Sequence, residues 1–234
     1  MNPFSIVIPS KRLSNLKACV GALRGQGETS RIIVIEDSPE VADAAGAGLV
    51  VEIIPGVRPF IFSRNCNLGL LAAGSDDVIL MNDDAILESP RGLSALQEQQ
   101  YANPSFGIVG ASVNYCGTVE QLQDKVHPGL RELKVMLAFI CVFIPRSTIT
   151  QIGLLDERFG VNAGGEGRRG YGCDDDDYSW RVRAAGMKLG VYDGCFVNHT
   201  CLPSTFRDDS AHPADVLIHE RVFQEKWGRH PRNP

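Results

Sequence analysis

The chain has 234 residues, 44% of them hydrophobic and 22% charged, with a formal net charge of -5. That balance suits one compact domain with a sizeable core, and the acidic excess argues against a general attraction to nucleic acid or other polyanions. No apolar run approaches the length of a bilayer span, and Met1 leads into a strand-like segment, so a soluble, cytoplasmic protein is expected.

In chain order, "FSIVIP" reads as a strand, and Leu13, Leu16, Val20 and Leu23 then recur at helical spacing. "RIIVIED" and "LVVEIIP" are the next two strands, Ser63 is placed to cap a helix carrying Leu68, Leu71 and Ala72, and "DVILM" is a fourth strand. This strand–helix alternation predicts an α/β fold with a mainly parallel sheet between helices, and ligands outside the carboxyl ends of the strands. Ser10, Asp37 and Asp84 fall at those ends.

Further along, "GIVGASVNY" and "VMLAFICVFIP" read as strands, the second long and buried, followed by a helix capped near Ser147 or Thr148. The glycine-rich "GVNAGGEGRRGYG" is a loop able to close over a ligand. Its Arg168 and Arg169 read as a solvated basic pair, with an approach to phosphates as the other option. "DDDDYSWRVRAAG" is a helix that starts on acids and ends at Gly186, and it leads into the strand "KLGVYDGCFVNH".

Seven cysteines, an odd number without a Cys-x-x-Cys pair, favour reduced structural thiols over a disulfide framework or a zinc ribbon. Cys195, His199 and Cys201 have ligand chemistry but lack a fourth partner at standard spacing.

The turn "NDD" at residues 82–84 puts costly charge directly after a buried strand. Carboxylates there suit a divalent cation that also holds diphosphate oxygens, although adjacent acids are common in plain turns. Four adjacent acids at a helix start repel one another, and the helix dipole relieves only part of that. Successive helical residues turn about 100° apart, so the four cannot all face one cavity.

The ordered set "SIVIPS", "IIVIEDS", "SRNCNLGLLAAG", "VILMNDDAIL", "GLLDERF", "DDDDYSWRVRAAG" and "VNHT" resembles a family-2 glycosyltransferase with the GT-A fold, over about residues 5 to 199. "FQEKWG" resembles a closing segment of that family. The resemblance implies a Rossmann-like GT-A domain at 1–201, with 202–234 as a lid or tail packed on it. It implies inverting transfer of a sugar from a nucleoside diphosphate sugar, with UDP expected, to a hydroxyl acceptor of unknown kind, with Mn2+ or Mg2+. Pro9, Ser10 and Asp37 match the nucleoside contacts, Arg64 and Asn67 the lining of the donor site, and Asp83 and Asp84 the metal-binding acids, with His199 completing the shell. Asn82 departs from the family's DxD-type motif, in which this position is an acid. Counting back from Arg181 makes Asp175 the general base with Asp174 as its neighbour and fallback, while Asp176 is expected to turn away from the cavity. A sugar nucleotidyltransferase would share the strand-end acids but should carry a Gly-rich basic signature after the first strand, which "PSKRLSN" lacks. A metal-dependent carbohydrate- or calcium-binding module is the non-enzymatic alternative, but "DDDDYSW" lacks the alternating ligands of a calcium loop.

Overall fold

The computed structural model describes residues 1–44, 46–58, 60–159, 172–204 and 212–231, with 212–215 as backbone alone. The first half alternates β1 (Phe4–Ser10), α1 (Leu13–Gly25), β2 (Arg31–Glu36), the short α2 (Pro39–Ala42), β3 (Glu52–Pro55), α3 (Phe62–Ala72) and β4 (Asp77–Met81). The second half holds β5 (Ile86–Leu87), α4 (Gly92–Ala102), β6 (Phe106–Val113), β7 (Leu130–Leu133), β8 (Cys141–Ile144), α5 (Arg146–Ile152), α6 (Asp174–Ala184), β9 (Lys188–Asn198) and α7 (His212–Trp227).

The strands form one sheet in the order β3-β2-β1-β4-β8-β6-β9-β5, with β7 beside β9. β1 to β4 are parallel, as the strand–helix rhythm requires. β8 then runs antiparallel to β4 and β6, while β6 and β9 are parallel. The sheet is therefore a parallel half joined to a mixed half, and the junction lies between β4 and β8.

Both faces are covered, so the central strands are apolar on successive residues rather than alternate ones. On β1, Ile6 and Ile8 join Leu16, Cys19 and Leu23 of α1 and Leu93 and Leu96 of α4 in one core. Val7, on the opposite face, joins Phe62, Cys66 and Leu70 of α3 and Tyr178 and Val182 of α6. Helix α3 lies so close to β1 that a Cβ on Gly69 would sit 2.1 Å from Val7 Cγ1. Only glycine permits that approach.

Three local expectations are corrected. Ser63 does not cap α3, which starts one residue earlier; its hydroxyl donates instead to Phe159 O at 3.0 Å. Helix α5 starts at Arg146, directly after Pro145, and its cap comes from β4, where Asp77 Oδ1 accepts the Arg146 N–H at 2.8 Å. Of "VMLAFICVFIP", only Cys141–Ile144 is a strand. The preceding residues turn their backbone to side chains: Leu137 N–H donates to Ser179 Oγ at 3.1 Å and Ala138 N–H to Gln121 Oε1 at 2.8 Å. A ladder partner is thus replaced by α6 and by a buried amide. The closing loop expected at 160–172, with Arg168 and Arg169, lies outside the described residues except for Gly172.

The C-terminal helix docks on α6. Lys226 Nζ lies 2.6 Å from Asp177 Oδ1 and 2.7 Å from Asp156 Oδ2, and Arg181 holds the other Asp177 oxygen at 2.9 Å. Burial pushes the Asp156 carboxyl up, but hydrogen bonds from Arg158 and Lys226 outweigh it and hold Asp156 well below the usual carboxylate range. Among the described residues no helix is long and apolar enough to cross a membrane.

Candidate active site

The carboxyl ends of β1, β2 and β4 open into a cavity of about 330 Å³. Pro9 and Ser10 end β1, Asp37 follows β2, and Asn82, Asp83 and Asp84 follow β4; all of them line it. The ends are tied together: Asp37 N–H donates to Ser10 O at 2.9 Å, and Ser10 Oγ donates to Asp83 Oδ2 at 2.8 Å. Lys11 N–H reaches the same oxygen at 3.3 Å. Burial pushes the Asp83 carboxyl up, the Ser10 hydroxyl pulls it back, and the charge of Asp84 adds to the rise. Asp83 thus braces β4 against β1.

Asp84 faces the other way. His199, just past β9, brings Nε2 to 3.3 Å from Asp84 Oδ1, while its Nδ1 lies 3.1 Å from the Tyr115 carbonyl oxygen. A carbonyl only accepts, so Nδ1 carries the hydrogen and a neutral ring turns its Nε2 lone pair toward a carboxylate oxygen. Two facing acceptors repel unless a proton or a cation lies between them. A divalent cation suits this pair, because such ions are commonly held by one or two protein ligands and completed by substrate phosphates and water. Among the described residues no three His, Cys, Asp or Glu side chains converge as a ready-made metal cage. Protein ligands alone therefore do not complete a shell, and the remaining positions would fall to a bound ligand.

The third wall is the start of α6. Cys173 at its N-cap has φ 62°, a left-handed conformation rare outside glycine, and Gly172 before it has φ 125°. That turn aims the first helical residues at the cavity, which Asp174, Asp175 and Asp176 all line. Asp176 does not turn away as expected; the residue turned away is Asp177, fully buried beneath α7. Asp174 is 2% exposed, and one of its carboxylate oxygens has no hydrogen-bond partner. Burial, followed by the charge of Asp175, pushes its carboxyl well up. Asp175 is less buried and accepts the Asp176 N–H at 2.9 Å.

Arg64 and Asn67, expected to line the donor site, are not among the described residues that line the cavity. Asn67 Nδ2 donates to Leu155 O and its Oδ1 accepts the Leu155 N–H, at 3.0 and 2.9 Å; Arg64 Nε lies 3.2 Å from Glu157. Both residues fasten α3 to the "GLLDERF" turn, and that stretch of α3 presents Phe62 to the cavity in their place. Reading the sequence missed Tyr115 to Thr118, although they follow β6 at its carboxyl end, where ligand contacts are to be sought. It also missed Val216 and Glu220, which reach the cavity from α7. Among the described lining residues, seven carboxyl groups face one lysine and one histidine.

No family model matches the chain, and no curated protein matches it. Solved structures do share its fold. It is similar to GalNAc-T7, crystallised with UDP, GalNAc and Mn2+, at 12% identity over 85% of this chain and 44% of that one, with a TM-score of 0.65. It is also similar to the mannosyltransferase PcManGT from Pyrobaculum calidifontis, in complex with GDP-Man and Mn2+, at 12% identity over 98% of this chain and 66% of that one, with a TM-score of 0.71. The chain has the GT-A fold of these glycosyltransferases, and it spans under half the length of the first and about two thirds of the second.

Proposed function

We propose that the chain is a metal-dependent glycosyltransferase of family-2 type that moves a sugar from a UDP-sugar to an acceptor hydroxyl with inversion. The observation that carries this reading is the Asp84–His199 pair facing the acidic start of α6 inside one cavity at the strand ends. A diphosphate would be repelled by so many carboxylates unless a cation came with it. Both structural neighbours named above hold Mn2+ with a nucleotide or nucleotide sugar, which supports the same chemistry here.

Asp84 and His199 would hold Mn2+ or Mg2+, which when bound neutralises the charge growing on the leaving diphosphate. Asp37 accepts the uracil imide hydrogen, beside Pro9 and Ser10, and Asp83 keeps that floor rigid. Asp175 is the general base: the acceptor oxygen attacks the anomeric carbon, the bond to the diphosphate oxygen breaks, and the hydroxyl proton passes to Asp175. Burial pushes the Asp174 carboxyl up, whereas Asp175 is less buried, which favours Asp175 as the carboxylate that takes the proton. Seven free thiols suit a reducing, cytoplasmic setting.

The test is UDP release from UDP-glucose, UDP-galactose and UDP-N-acetylglucosamine, with Mn2+ and with a chelator. Release that needs the metal and is lost in Asp175→Asn supports the reading. Metal-independent release contradicts the metal assignment, and release of GDP from GDP-mannose, with no UDP from any of the three UDP-sugars, contradicts the uridine assignment.

A further inference from the structure

Asp84 and His199 reach toward each other from unlike supports. Asp84 follows β4 in the middle of the sheet and is buried, whereas His199 stands one residue beyond β9, outside any helix or strand. A side chain in such a place is ordered only by the bonds of its own turn. If it serves as a ligand, any freedom left to it must be given up when the ion binds.

The turn has an anchor in Asn114, the first residue past β6. The His199 N–H donates to Asn114 Oδ1 at 2.8 Å. An N–H can only donate, so this bond fixes which way the carboxamide faces and leaves its Nδ2 for acceptors. Nδ2 finds two of them, Thr200 Oγ1 at 2.7 Å and Asn198 Oδ1 at 3.0 Å. One side chain thus ties residues 198, 199 and 200 to the end of β6. Asn198 is braced again from β5, where its Nδ2 donates to Oε1 of Glu88, the residue after that strand, at 2.9 Å.

The ring is held from the same place. Tyr115, next after Asn114, supplies the carbonyl oxygen 3.1 Å from His199 Nδ1. Two successive residues therefore fix the backbone and the ring of His199, and Nε2 is left directed at Asp84 Oδ1. Groups that orient a metal-binding histidine commonly change metal affinity about 10- to 100-fold when they are removed. Asn114 is itself exposed, and its side chain bonds only to residues 198–200 among the described residues, so the core does not depend on it.

We infer that Asn114 is a positioning residue of the cation site: it acts through His199, holding Nε2 toward Asp84 before the ion arrives. The inference rests on the cation site of the glycosyl-transfer reading and adds the residue that orders it.

The experiment measures, on the full chain with UDP, the Mn2+ concentration that gives half of the rise in melting temperature. Parent, Asn114→Ala, His199→Ala and the double variant are compared, and melting without ligands checks that each is folded. Asn114→Ala should need about tenfold more Mn2+ than the parent. In the His199→Ala background the same substitution should change the midpoint less than twofold, because no ring remains to be positioned. A residue that merely joined the strand ends would cost the same in both backgrounds, and that result overturns the inference. So does an Asn114→Ala midpoint within twofold of the parent. If His199→Ala titrates like the parent, His199 is not a ligand and the inference falls while the cation at Asp84 stands. If the parent shows no Mn2+-dependent rise, the glycosyl-transfer reading itself fails.

Discussion

The indole Nε1 of Trp227 donates to Oδ1 of Asp177 at 2.8 Å, and this bond fastens the C-terminal helix to the helix whose first turn lines the cavity. Lys226 reaches the same oxygen, so one fully buried carboxylate is held from two successive residues of α7. The four acids of α6 thus divide by direction: three face the cavity and the fourth anchors the helix.

Lys226→Met should be strongly destabilising, because it leaves Asp177 and Asp156 without their shared cation. Breaking a buried pair from one side costs about 3 kcal/mol or more. The urea midpoint should fall with little change in slope. A midpoint within error of the parent would mean that Arg181 and Trp227 suffice to hold Asp177.

Asp174 gives a pH test. Burial, reinforced by Asp175, raises its carboxyl well above the ordinary value, so the folded chain keeps a proton that the unfolded chain releases above about pH 3.9. The stability contributed by this group is therefore full below that pH and is lost as pH rises through the folded value. Asp174→Asn removes the loss. Its melting temperature should gain on the parent between pH 4 and pH 8, by roughly 2–4 °C for each kcal/mol recovered. A difference that stays constant or shrinks over that range contradicts the assignment.

Much of this was legible in the sequence, for physical reasons that differ by element. The parallel half could be read because strands buried on both faces carry unbroken apolar runs, as "IVI" and "VILM" do, and because Leu16, Val20 and Leu23 mark one buried helix face. The reversal at β8 could not, since "VMLAFICVFIP" is equally apolar whether its backbone pairs with a strand or with Gln121 and Ser179. Strand-end acids were visible, but the partners of Arg64 and Asn67 lie some 90 residues away on the "GLLDERF" turn, a distance that local pattern does not carry. The direction of Asp176 depended on the left-handed Cys173, and nothing in "YGCDDDD" reports that conformation.

Among the cavity acids, Asp175→Asn keeps the size of the side chain but removes the basic lone pair. UDP release in the presence of an acceptor should fall by roughly two to four powers of ten, while UDP affinity barely moves. Asp176→Asn relieves the same repulsion and shares the cavity, yet its effect should stay within about tenfold. Near-normal release by Asp175→Asn, with a collapse in Asp174→Asn or Asp176→Asn, would move the base to that residue.

Asp37→Ala should weaken UDP more than it weakens inorganic diphosphate, because its proposed contact is with the base and not with the phosphates. A loss of about tenfold corresponds to one charge-assisted hydrogen bond. Binding of GDP more tightly than UDP by the parent protein, measured by calorimetry with Mn2+, would show that the base is not uracil.

The account as a whole depends on a cation joining Asp84 and His199 to a diphosphate, and the most direct measurement is the melting temperature with UDP, with and without Mn2+. A ligand that binds only the folded state adds about 2.7 kcal/mol of stability at one hundred times its Kd, so the shift should be several degrees. UDP should raise the melting temperature of the parent only when Mn2+ is present, and the shift should vanish in Asp84→Ala and shrink in His199→Ala. An equal shift with and without the metal, or a full shift retained in Asp84→Ala, would contradict the account.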